Sequence, residues 1–172
     1  MHQQRRWRLE ACDHESKHAG LLHCTAIAVS CVMVGDDGSG SCQFEPLTAD
    51  DLHILFDYDR AQIALDLVTD YIGGALVGGL GSQGPLPYAD RQAVEKYCGL
   101  WSEVGGTTAH IMLRAKGELK ALKWLMYHQA AVKSFARQID ARGTLSGKEL
   151  VQRLTKTFGP APTTAGPYEK GA

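Results

Sequence analysis

The sequence has no excess of charge: eighteen lysines and arginines face nineteen aspartates and glutamates over 172 residues, for a net charge of −1. That balance demands no polyelectrolyte partner, and no nucleic acid is expected. It also lacks an apolar run able to cross a bilayer. The longest, "LLHCTAIAVSCVMVG" (21–35), is interrupted by His23, Thr25 and Ser30 and stops short of the ~20 residues a span needs. The run follows a segment rich in His, Glu and Lys and ends in "GDDGSGS", which is not the layout of a secretory signal. The expectation is therefore a cytoplasmic chain with no membrane contact. The five cysteines (Cys12, Cys24, Cys31, Cys42, Cys98) contain no C-x-x-C pair and are odd in number, which argues against a disulfide framework and for reduced, buried thiols. There is no G-x-x-x-x-G-K-[ST]: in "GGALVGGLGSQG" (73–84) no lysine follows the glycines in register, so a phosphate loop is excluded. No internal repeat is present.

What is there reads as one globular domain. Apolar residues make up 44 % and charged residues 22 %, and the length supports one core but not two. The domain is expected over 1–158, followed by a disordered tail over 159–172, "GPAPTTAGPYEKGA". Trp7, Leu9, Ala11, Ala19, Leu21 and Leu22 predict a helix from about Trp7 to Leu22. "TAIAVSCVMV", the turn formers after it and "CQFEPL" predict a β-hairpin over 25–45. Thr48, with Asp50 and Asp51 behind it, predicts a capped short helix. Ile63, Ala64, Leu67, Val68, Tyr71, Ile72, Ala75 and Leu76 predict a helix from about Arg60 to Val77, ended by a glycine loop that runs through Gly84 to a further helix near Tyr88. The longest helical pattern covers about Thr107 to Ala141, with Gly117 as the expected break or kink. Ser146 and Glu149 spell a capping box for a last short helix. The fold class expected is mainly α with a small β-hairpin, an α+β domain.

Within the first helix stands "HESKH", with His14, Glu15 and His18 in the order H-E-x-x-H. Residues four apart share a helix face, so His14 and His18 can offer both imidazoles to one ion while Glu15 points close beside them. Zinc (Zn2+) suits two imidazoles and a carboxylate with a position left for water. The metal acidifies that water, and Glu15 is placed to take its proton and pass it to a leaving amine. The chemistry expected is peptide-bond hydrolysis without a covalent intermediate. A third ligand is needed. His23 falls out of register for an extended zincin pattern and reads as structural, and His110 and His128 stand alone on helices. A carboxylate is the better candidate, from Asp66, Asp70 or Asp90.

The chain resembles the peptidase domain of the membrane-anchored AAA zinc proteases, the FtsH-type family. "HESKHA" (14–19) is similar to that family's H-E-A-G-H-A, and "DLVTDYIGGALVGG" (66–79) to its helix with G-G-R-A-A-E-E. "GSQGPLPYADRQAVEKY" (81–97) stands where the family has a glycine loop and an aspartate, G-A-S-N-D or G-A-S-D-D, and "GTLSGKEL" (143–150) is similar to T-L-x-G-E-E-I. The resemblance covers roughly residues 5–155. It implies His14, His18 and Asp90 as zinc ligands and Glu15 as general base. It also implies an extended peptide added to the edge of the hairpin as substrate. The family's hexamers form through its larger chain, so a homo-oligomer or a partner unfoldase are both open. The sequence departs from the family at Ser16 and Lys17, which replace Ala-Gly, and at "PLPYAD" before the aspartate. Lys17 implies altered packing or a cation near the metal. With no ATPase motif here, substrates would be flexible or unfolded peptides. Two other readings follow from the residues: a catalytically inactive binding or regulatory module keeping the same fold, and a basic face formed by "RRWR" (5–8) and the cations between Arg114 and Arg137, which is better read as the solvated side of a packing helix.

Overall fold

Helices α3 (Ala61–Val77) and α5 (His110–Arg142) cross where neither carries a side chain. A Cβ on Gly73 would lie 3.0 Å from the Gly117 carbonyl oxygen, and one on Gly117 would lie 2.5 Å from Ile72 Cγ2. Backbone packs directly on backbone at this point, and α5 runs through Gly117 unbroken. The expected break is thus corrected: this glycine serves a neighbour's approach, not a turn in its own helix. The computed structural model describes residues 2–58, 60–82 and 85–163. Gly84 of the glycine loop and residues 164–172 of the expected tail lie outside them.

The remaining elements are α1 (His2–Cys24), β1 (Val29–Val34), β2 (Gly40–Phe44), α2 (Ala49–Asp57), α4 (Tyr88–Glu103), β3 (Thr144–Ser146) and α6 (Gly147–Phe158). The chain is mainly helical with a small antiparallel sheet of order β2-β1-β3, an α+β fold. The hairpin therefore gains a third strand, β3, that the sequence pattern does not predict. Cys31, Val32 and Met33 of β1 pair with Ser146, Leu145 and Thr144, and Leu145, 1 % exposed, is the one β3 side chain turned into the core. Three residues are too few to show an alternation.

Thr48 caps α2 as expected: its hydroxyl accepts from the Asp51 amide while the Asp51 carboxylate accepts from the Thr48 amide. The box expected at α6 does not form. Ser146 is the N-cap but makes no side-chain cap bond: Gly147 after it has φ 54°, off the helical path, and Glu149 is drawn to Arg153 at 2.8 Å. Helix α1 begins at His2, well before Trp7. Within it Arg8 donates to the Asp140 carboxylate at 2.8 Å and carbonyl at 2.7 Å and to Asp36 in the hairpin turn. Part of the "RRWR" cluster thereby joins α1, α5 and the hairpin.

The core lies between α1, α3, α5 and the sheet. Leu22, Val32, Ile72, Phe135, Ile139 and Leu150 are fully buried there, each worth roughly 1.5–3 kcal/mol of transfer free energy. Ser16 sits at the α1–α5 contact and donates its hydroxyl to the Val132 carbonyl at 2.8 Å, so a small polar residue suits that crossing. Among the described residues no helix is long and apolar enough to cross a membrane.

Candidate metal centre

One turn of α1 brings His14 and His18 edge to face, with ring centroids 4.5 Å apart at 76°. Three features of other elements complete the arrangement. Gly74 of α3 offers its carbonyl to His18 Nδ1 at 2.6 Å. A carbonyl only accepts, so Nδ1 carries the proton, and the neutral ring turns the lone pair of Nε2 outward. Gly78 caps α3 directly beneath the rings: a Cβ there would lie 2.5 Å from both His14 Cε1 and His18 Nε2. Asp90, in the first turn of α4, points its Oδ2 to 3.2 Å from His14 Nε2 and 3.6 Å from His18 Nε2. The N-terminus of α4 favours that anion.

The three donor atoms lie within 4.8 Å of one another, and their proton count does not balance. In its neutral form His18 has its one ring proton on Nδ1, towards Gly74, and Asp90 Oδ2 is buried without a hydrogen-bond partner. His14 Nε2 sits 2.9 Å from His18 Nε2 and has at most one proton for the two acceptors facing it. Burial alone would raise the Asp90 carboxyl, but the two imidazoles hold it well below the usual carboxylate range. Burial would lower His18, yet Asp90 and Glu15 raise it. With both rings neutral the inward-facing acceptors exceed the protons between them, an imbalance that a cation resolves, and two imidazoles with one carboxylate are a set that could hold a metal ion.

Glu15 is buried beside this group on α1, 6 % exposed, with its carboxylate against Gly40 at the start of β2, where a Cβ would lie 2.6 Å from Oε1. Burial pushes its carboxyl up, against the pull of His18 and His14. Among the described residues no donor is hydrogen-bonded to it. His14, Glu15 and Asp90 line a cleft of about 1260 Å3 whose other walls include Trp7, Asp13, Lys17, Pro85 and Pro87.

No protein-family model matches this chain, and no curated protein matches it.

The other sequence candidates lie elsewhere. Asp70 pairs with Lys120 of α5 at 2.7 Å, and the Asp66 carboxylate accepts from Gln62. Both serve α3 rather than the histidine pair. His23 is buried and bonds the Gly159 carbonyl at 2.9 Å, joining α1 to the end of α6. His110 bonds Ser102, and His128 stacks on Trp124. Lys17 pairs with Asp13 at 2.7 Å and donates to the Leu80 carbonyl at 2.9 Å; its charge is neutralised locally and holds the loop after α3. The sequence reading missed Gly74, Gly78 and Gly40. The glycines of 73–79 carried the signal, since one glycine per turn on the face meeting a histidine helix marks a close approach.

Proposed function

We propose that this chain is a zinc-dependent metallopeptidase-like hydrolase of FtsH-type fold. The reading rests on one observation above others: His14 Nε2, His18 Nε2 and Asp90 Oδ2 converge over a glycine with a surplus of acceptors, and an unpaired buried glutamate stands next in the helix. His14, His18 and Asp90 would hold the ion, and the chemistry zinc supplies at such a donor set is Lewis acidity towards water and a carbonyl. The protein's own residues do the rest. Gly74 fixes the His18 tautomer, and Glu15, its proton affinity raised by burial, takes a proton from water and returns it to the leaving nitrogen. Strand β2 is an edge of the sheet and begins against Glu15, so an extended peptide paired along that edge would run past the base. Flexible or unfolded chains meet that demand; a folded substrate does not.

Elemental analysis of protein purified without chelator, beside a His14→Ala/His18→Ala double variant, tests the metal. One zinc per chain in the parent and none in the variant is expected; no zinc in either overturns the reading. Glu15→Gln then separates hydrolase from binding module. It is expected to retain zinc and the melting temperature while losing cleavage of unfolded casein by about 10²-fold or more. Casein left intact by the zinc-loaded parent would favour the inactive module.

A further inference from the structure

Helix α5 is apolar on two opposite sides. Leu113, Gly117, Ala121 and Trp124 face the core. On the other side Met112, Leu119, Leu122 and Met126 are 53, 52, 42 and 73 % exposed, and Ala115 is exposed with them. Scattered apolar residues are ordinary on a surface, but these five stand at 112, 115, 119, 122 and 126, the alternating three- and four-residue steps of a heptad seam. The seam is about 21 Å long at 1.5 Å per residue, and Ile111 and Tyr127, 77 and 86 % exposed, widen it.

The charges beside the seam say what covers it. With Met112, Leu119 and Met126 at a and Ala115 and Leu122 at d, the e positions are Lys116 and Lys123 and the middle g position is Glu118. In a parallel pair each g meets the e position five residues on in the other helix. Glu118 of each copy then meets Lys123 of the other. An antiparallel pair that layers Leu119 on Leu122 sets Lys116 against Lys123, cation against cation, twice. Glu118, Lys116 and Lys123 are exposed, and among the described residues none of them has an ion-pair partner within its own chain. We propose that α5 is a self-association face on which a second copy of this chain docks in parallel along residues 112–126, forming a two-fold dimer. Such a contact uses one face twice and closes at two. No residue of α5 lines the cleft of the metal centre, so both clefts stay open, and the dimer does not depend on the metal reading. Short, methionine-rich packing makes it weak and concentration-dependent.

Sedimentation equilibrium of the parent from low micromolar to near-millimolar concentration is expected to give a monomer–dimer transition. Leu119→Glu with Leu122→Glu, at exposed positions, is expected to leave a folded monomer by circular dichroism. Glu118→Lys and Lys123→Glu are each expected to weaken the dimer by roughly tenfold, and the double exchange to restore it to within about threefold. A parent that stays monomeric throughout, or assembles as a larger ring, overturns the proposal. So does a Glu118→Lys variant that associates more tightly than the parent.

Discussion

Gly78 limits how closely α3 can approach the two imidazoles, and a single methyl group is enough to test it. Gly78→Ala puts a Cβ 2.5 Å from His18 Nε2; the rings must shift or α3 must retreat. The expected result is a loss of about 10–100-fold in zinc affinity, read by titration against a competing chelator, with the melting temperature lowered as well. Gly99→Ala is the control. It lies within α4 with nothing within 4 Å of its added Cβ, so it is expected to stabilise the chain by about 0.5–1 kcal/mol through backbone entropy. The cysteines give a second test at this scale. Cys12 is fully buried in α1 and its thiol is pushed up to about 11 by burial. Iodoacetamide at pH 8 is expected to leave it unmodified in the folded protein and to label it once the chain is denatured. Labelling at equal rates in both states would show that α1 opens locally.

Helix crossings, not helix propensities, decide the next scale. Gly117→Ala gains up to about 1 kcal/mol of intrinsic helix propensity, yet its Cβ would meet Ile72 Cγ2 at 2.5 Å, an overpacking that costs about 1–3 kcal/mol. The net expectation is a lower urea midpoint with no change in slope; a higher midpoint would mean that the α3–α5 crossing relaxes freely. This residue also marks the limit of what the sequence discloses. Periodicity found α3 to within a residue, Thr48 and Asp51 announced α2, and H-E-x-x-H placed two histidines on one face, because each of these signals is local. Gly117 looked like a break since a glycine signals either flexibility or proximity, and only the crossing helix distinguishes them. Ser146 and Glu149 spelled a cap that the positive φ of Gly147 and a nearby arginine override. Strand β3 was invisible at three residues, and Gly74 and Gly78 acquire their parts in the centre only when α3 lies against α1. Asp90 was singled out from Asp66 and Asp70 only by what the resemblance implied; its place beside the two histidines and its burial are tertiary properties.

Two of the places where the described residues bury charge have opposite balances. At the candidate metal centre, with both imidazoles neutral, acceptors exceed donors. At the α3–α5 contact a lysine answers the carboxylate: Asp70 is 20 % exposed at the side chain and paired with Lys120. Burial nevertheless raises the Asp70 carboxyl above its ordinary 3.8, the pull of Lys120 being the smaller effect. The folded chain then holds this proton more tightly than the unfolded one, so stability falls as pH rises from 3.8 through the raised folded value, and the loss is complete at neutral pH. Asp70→Asn removes that titration while keeping the side chain's size and a group able to face Lys120. Its melting temperature relative to the parent is expected to improve steadily between about pH 3 and pH 7. Lys120→Met, which leaves the carboxylate in place without its partner, is expected to move the other way and to deepen the loss at neutral pH. If Asp70→Asn instead falls further below the parent as pH rises, the ion pair outweighs burial, and α3 is held to α5 by charge as well as by the glycine crossing.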